Sequence, residues 1–316
     1  MSTLPIVLTM FAILSTPDLD QLSMLQAKAF EEKDGRIQTK MLAEVNSGLK
    51  KLIESDSLKT GKDFRVAASL VYSPNRYFEQ TRVEYELLLT ATKLGDPEAP
   101  KLQPSAWDKV LVSLGRNRRF GLEKFPGRPD TGLLKVMPSP KGVTSFLMAF
   151  IKGNLPTTAV ANNPEITKIM DADQAARDKD FTKLKPEDWA KMALEDKERL
   201  KQMKKIVAKE GSLRTGEDFF NAALVFQHGA EFEDYATAHE LALCSMILKA
   251  NGGSWLTAAA YDRMLLNMGH RQRFGTQSYI TLGQQFLSPL DENMINETVR
   301  FEVGRVRLSE IPFKRG

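Results

Sequence analysis

The chain has 316 residues, 42% of them hydrophobic and 27% charged, which excludes wholesale disorder and leaves room for two ordinary domains with their own cores. Its net charge of +4 is spread over 44 basic and 40 acidic side chains, and the longest basic cluster is the short "RNRR" from Arg116 to Arg119, so a nucleic-acid-binding face is not expected. The single cysteine, Cys244, excludes an internal disulfide and any cysteine-based metal cluster, and suits a reducing cytoplasm and a disulfide-free exported protein equally.

The first element is an apolar run, "LPIVLTMFAIL" from Leu4 to Leu14, too short to span a bilayer and of the length of a signal-peptide core. No Lys or Arg precedes Asp18, and cuts after Ser15 or Thr16 lack the small residue three positions before them, so a strand or helix packed on the domain is the other reading. No transmembrane segment is expected.

From Asp18 onward the chain repeats itself at a spacing of 153 to 155 residues. "DLDQ" (Asp18 to Gln21) matches "DADQ" (Asp171 to Gln174), "SLKTGKDF" (from Ser57) matches "SLRTGEDF" (from Ser212), and "LVYSPNRYFE" (from Leu70) matches "LVFQHGAEFE" (from Leu224). "WDKVLVSLGRNRRFGLE" (from Trp107) then matches "YDRMLLNMGHRQRFGTQ" (from Tyr261). Order and spacing hold over roughly 105 residues, the mark of a tandem duplication. The apolar run lies outside the repeated unit, which favours an export signal and a periplasmic or secreted location over a cytoplasmic one. Between the copies, "FPGRPDTGLLKVMPSPKG" and "GNLPTTAVANNPE" are loop and linker in composition. The expected divisions are residues 1–17 as signal peptide or extension, 18–164 as a first repeat domain, and 165–316 as a second.

In the second copy, "PEDWAKMALEDKERLKQMKKIVAKEG" reads as a long charged helix with Pro186 in its first turn and Gly211 as its cap. "TGEDFFNAALVFQHG" is a helix with Thr215 as N-cap, acids in its first turn and Gly229 as its stop. "EFEDYATAHELALCSMILKANGG" is a second, expected to end at Gly252 and Gly253, and "SWLTAAAYDRMLLNMG" a third, ending at Gly269. "QSYITL", a "GQ" turn and "QFLSPL" predict a hairpin, and a last helix begins after Asp291 and stops at Gly304. The fold class is therefore mainly α: two tandem helical bundles, each with a small β-hairpin appendage.

Both copies keep Asp108/Asp262, Lys109/Arg263, Gly115/Gly269, Arg119/Arg273, Phe120/Phe274 and Gly121/Gly275, as residues serving a common fold would be kept. Adjacent helical residues point about 100° apart, so Asp262 and Arg263 need separate partners. Gln227, His228, Gln272, Thr276 and Gln277 occur only in the second copy, where the first has Ser73, Pro74, Arg118, Leu122 and Glu123. If the three helices alternate in direction, the "QH" end of one lies beside the "HRQRFGTQ" loop after another, with Asp262, Arg263 and His239 about 10 Å below. The result is a polar pocket of Gln227, His228, His239, Asp262, Arg263, Gln272, Arg273, Thr276 and Gln277. His239 has mostly apolar helical neighbours and corresponds to Tyr85, which also suits a packed residue with one hydrogen bond. His228 is the candidate acid/base, with Asp262 as the available carboxylate. Three histidines without HExxH spacing, and the lack of a phosphate-cradling glycine loop, nucleophile elbow or dinucleotide fingerprint, point to no metal and no cofactor.

"QHG", "DR", "QRFGTQ" and "PLDEN" with the later Arg300 and Gly304 resemble an uncharacterised bacterial family, a domain of unknown function with a QHAD-like motif, DR, Q-aromatic-GTQ and P-[IL]-x-D. "DADQAAR" (Asp171 to Arg177) is similar to that family's opening, and the likeness covers residues 165–310. The resemblance implies no activity, and makes the first copy a degenerate member that keeps Asp108, Arg119, Phe120 and Gly121. Three readings follow. The second domain binds a small polar or anionic ligand or a protein partner; or it is a hydrolase or transferase using His228; or its signature is a structural scaffold. The first copy alternatively binds something different through Arg116, Arg118 and Arg119.

Overall fold

The computed structural model describes residues 18–71, 78–122, 135–154, 161–180, 183–281, 284–312 and 314–315. The apolar run, Ser73 and Pro74, Glu123, "FPGRPD", the place for a first-copy hairpin and the first residue of the second hairpin's "GQ" turn lie outside the described residues.

The chain is mainly helical. The first half holds α1 (Leu19–Glu31), α2 (Gly35–Glu54), α3 (Gly61–Leu70), α4 (Phe78–Lys93), α5 (Ala99–Ser113) and α6 (Lys141–Ile151). The second holds α7 (Pro164–Ala175), α8 (Pro186–Val207), α9 (Gly216–Phe226), α10 (Phe232–Ile247) and α11 (Gly253–Asn267). A hairpin of β1 (Ser278–Thr281) and β2 (Gln284–Leu287) follows, then α12 (Glu297–Val299), which runs on as a π-helical turn over Arg300–Gly304. β1 pairs antiparallel with β2, and β2 pairs parallel with β3 (Lys314–Arg315). Helix starts obey side-chain chemistry: Thr60 and Thr215 each accept a bond from the amide of the acid three residues on, at 3.2 and 3.1 Å, and those acids accept from the threonine amides in return.

Four expectations are corrected. Helix α8 ends at Val207 with Ala208 as its cap, short of Gly211. Helix α10 stops at Ile247, not at Gly252; Lys249 takes the left-handed turn at φ +58°, letting the Ala250 amide close on Ser245 O at 3.0 Å, and Gly252 becomes the N-cap of α11. The last helix starts at Glu297, because Asn296 accepts from the Val299 amide at 2.8 Å and caps it there. It ends at Gly304 because Arg305 turns into the left-handed region at φ +57°, and Gly304 itself has little room for a side chain, since a Cβ there would meet Phe274 Cβ at 3.1 Å. Finally, "DLDQ" and "DADQ" are not equivalent in space. Asp18 caps the start of α1, whereas Asp171 and Asp173 lie in the closing turns of α7.

The two halves do not have separate cores. One buried cluster joins α1 to α5 with Phe232, Ala236, Leu243, Tyr261, Met264 and Phe274, while Ala238, Leu241, Ala242, Leu256 and Ala260 on the same two helices join a second cluster with α6 to α9. Helices α10 and α11 are apolar on both sides because both sides are covered. The terminal helices cross over. Helix α6 packs on α10 and puts Val143, Phe146 and Leu147 into the second half's core; α12 and the π turn pack on α4 and put Val299 and Val303 into the first half's.

The contacts between halves are reciprocal. Tyr85 on α4 and His239 on α10, 154 residues apart, meet at 2.6 Å. Arg273 grips Glu86 in two-pronged fashion at 2.8 Å, and at the matching positions of the other half Arg119 reaches Glu240 at 3.1 Å. Trp107 donates to Glu240 at 2.9 Å as Tyr261 does to Glu86 at 3.4 Å. His270 sits against Phe78 while Arg116 sits over Phe232. Even the bridge that precedes the hairpin, Gln272 with Leu290, has a counterpart in Arg118 with Val136.

Candidate functional site

Asp262, wholly buried near the end of α11, is where the signature loop begins. Its carboxylate accepts from the amides of Arg273, Phe274 and Thr276 at 2.7, 3.0 and 3.0 Å and from Thr276 Oγ1 at 2.8 Å. Burial pushes its pKa up against the pull of those bonds. Asp108 does the same in the first half, accepting from the amides of Arg119, Phe120 and Gly121. Gln272 completes the frame: it exchanges two bonds with the main chain of Gln277, at 2.8 and 2.9 Å, and donates to Ser288 O at 2.7 Å, tying loop to hairpin. Arg273 spends its donors on Glu86, Asp291 O and Asn293 O. Burial opposes the Arg273 charge, but Glu86 and Asp291 outweigh it and hold the guanidinium above its usual range.

Arg263, one residue from Asp262, points elsewhere. Its Nε donates to Gln277 Oε1 at 2.9 Å and its Nη1 to Gln227 O at 3.0 Å. That contact brings the "QH" end of α9 beside the loop, as the alternating helix directions require. Burial lowers the Arg263 pKa, and no carboxylate pairs with it among the described residues. Gln227 is buried, and its Oε1 has no hydrogen-bond partner among the described residues.

His228 is not oriented by Asp262. Its Nδ1 meets Asp173 Oδ2 at 3.0 Å, on the closing turns of α7. Asp173 also accepts from Arg177 at 2.9 Å, and Arg177 and Arg199 share Asp196 at 2.9 and 2.5 Å. Burial raises the Asp173 carboxyl, but the hydrogen bond from His228 and the charge of Arg177 outweigh it and leave the carboxyl below its usual range. For His228 burial wins over Asp173, so the imidazole is neutral near pH 7, with Nδ1–H toward Asp173 and Nε2 left as an acceptor. Asp173, Arg177, Asp196 and Arg199 were not candidates from the sequence, although "DADQAAR" contains the first two.

His239 stands apart from the others. It is fully buried, with Nδ1 at 2.8 Å from Thr257 O, Nε2 facing the Tyr85 hydroxyl, and its ring among Trp107, Tyr85 and Tyr261. The first half's arginines are likewise committed: Arg119 to Glu240 and Glu233, Arg116 to Met268 and Phe232, with Arg118 buried. Nine candidates thus divide into a loop frame (Asp262, Gln272, Arg273, Thr276, Gln277), an interface residue (His239), and a cluster of Gln227, His228 and Arg263 that Asp173 completes.

Among the described residues no helix is long and apolar enough to cross a membrane. No protein-family model, curated protein or solved structure matches the chain.

Proposed function

We propose that this is a binding protein whose second half, residues 165–316, holds a small polar or anionic ligand at Arg263, His228 and Gln227. The observation that carries the reading is the uncompensated charge of Arg263. In the first half the corresponding Lys109 pairs with Glu84 at 2.8 Å; the position matching Glu84 is Ala238. A largely buried guanidinium without an acid is costly unless a ligand completes it. Arg263 Nη2 and His228 Nε2 are free of partners among the described residues, and the unpartnered Oε1 belongs to Gln227, which precedes His228 and offers its carbonyl to Arg263. A small carboxylate that also carries a hydroxyl suits this set, its oxygens facing Arg263 and its O–H facing His228 or Gln227. In this reading the other signature residues frame the site, and the reciprocal contacts support descent of both halves, as domains 18–164 and 165–316, from one duplicated unit of the bacterial family that the motifs resemble, the first copy degenerate.

The test is a thermal-shift series on the full chain with lactate, malate, citrate and inorganic phosphate, beside Arg263→Gln and His228→Asn. At about one hundred times its Kd a ligand adds about 2.7 kcal/mol, a rise of several degrees in Tm. The rise should vanish in both variants. A rise that survives in both, or none with any probe, sinks the reading in favour of a purely structural signature.

The His228 and Asp173 contact favours a second reading, a hydrolase or transferase in which Asp173 orients His228 as acid/base. Turnover of p-nitrophenyl acetate or p-nitrophenyl phosphate that disappears in His228→Asn is its expected signature; equal rates in both proteins would end it.

A further inference from the structure

A second site lies at the other end of the molecule, where the turn after α4 faces the turn after α10. There a cavity of about 780 Å³ is lined by Lys93, Lys249, Arg305, Asp96, Trp255 and Phe150, so both halves and the segment after the π turn contribute. A volume of this size holds a small molecule of drug-like dimensions.

Its charge is unbalanced. Asp96 is already spent: it pairs with Arg65 at 3.0 Å and caps α5 by accepting from the amides of Glu98 and Ala99 at 2.9 and 2.8 Å. Lys93, Lys249 and Arg305 make no ion pair among the described residues. Burial lowers the pKa of Lys93, and the neighbouring Arg305 lowers it further; Glu302 acts on it from beyond ion-pair distance. The two halves act as each other's control. Where the first has Asp96 and Arg65, the second has Ala250 and Phe220, whose ring packs against Gly252. Helix α11 therefore opens into the cavity from a glycine cap, without a side-chain bond and without an acid in its first turn. The end of α11 adds to the positive potential that the three side chains set up.

We propose that this cavity binds an organic phosphate, its phosphoryl group held by Lys93, Lys249 and Arg305 and its apolar, planar part lying against Trp255 and Phe150. Three cations lining one cavity call for a ligand of charge −2 or more, because a single carboxylate would leave two of them uncompensated. Lysines act here as point charges on a phosphate, and the half-exposed Trp255 supplies an apolar wall. This site is separate from that of Arg263 and His228 and does not depend on it.

The experiment titrates the full chain at low salt with phenyl phosphate, inorganic pyrophosphate and benzoate, by calorimetry and by tryptophan fluorescence. Phenyl phosphate should bind saturably, and the Lys93→Gln/Arg305→Gln double variant should bind it at least about tenfold more weakly, as expected for two lost charge-assisted contacts. Trp255→Phe should remove the optical change while calorimetry still reports binding, and Arg263→Gln should leave the titration unchanged. The proposal is overturned if neither phosphate binds more tightly than about 10 mM, if benzoate binds as well as phenyl phosphate, or if the double variant, folded by its melting curve, binds undiminished. Loss of binding in Arg263→Gln would move the ligand to the other site and equally overturn it.

Discussion

At His239 the imidazole lies between the carbonyl of Thr257 and the hydroxyl of Tyr85, with no solvent and no carboxylate in contact. Burial lowers its pKa from 6.5 to about 4, with the Thr257 bond opposing. The folded state refuses a proton that the unfolded chain accepts, so this stabilisation is complete above pH 6.5, is lost as the pH falls toward 4, and is flat below that. The loss amounts to about 3 kcal/mol. Denaturant unfolding at pH 7 and pH 4.5 should show it, and His239→Gln, which keeps a donor and an acceptor, should remove this part of the slope; an unchanged slope would refute the assignment. Glu86 and Arg273 make the complementary case. Glu86→Ala strands a buried guanidinium and should cost about 3–5 kcal/mol, whereas Glu86→Leu with Arg273→Met should recover much of it. The apolar neighbours of His239 were readable along its helix. Its partner Tyr85 was not, because that contact joins the two halves of the chain and no periodicity within one half encodes it.

The loop from Arg271 to Gln277 hangs on two side chains. Asp262 gathers three of its amides, and Gln272 binds it to the residue just after β2 through Ser288 O. Gln272→Ala should release the hairpin while leaving the helices intact: amide exchange over residues 278–287 should speed up by about tenfold or more, in keeping with the loss of about 1.5–3 kcal/mol of hydrogen bonding, and exchange in α10 should not change. Equal protection in the variant would show that the β pairing stands without it. The start of α9 was legible because Thr215 and the acid three residues on act locally. The end of α10 was not: Lys249 occupies a conformation that glycine usually takes, and it does so where Gly252 is already committed to starting α11. The "DADQ" match misled for a related reason. Helix α7 begins at Pro164, seven residues before the motif, so letters that open α1 fall at the closing end of α7, where Asp173 turns inward to His228.

The exchange of α6 and α12 makes the halves mutually dependent. A chain of residues 161–316 alone would expose the faces of α10 and α11 that cover α4 and α5, and would leave Arg273 without Glu86. It should therefore fail to give a cooperative monomeric melting transition, while mixing it with residues 1–160 should restore one close to that of the full chain; a stable, monomeric 161–316 fragment would contradict the shared core. The mainly helical class, most helix boundaries in the second half and the hairpin could be read from residue order, because caps and apolar periodicity are local properties. Repeated letters also indicated which residues the two halves share. What letters alone left open was the use of those residues. Arg273 and Arg119 belong to an ion pair across the halves, Asp173 rather than Asp262 meets His228, and the cationic cavity draws Lys93, Lys249 and Arg305 from three distant segments. Each of these depends on positions far apart in the chain: the arginine pairs and the cavity arise only where one half packs on the other, and the Asp173 contact with His228 where α7 packs on α9.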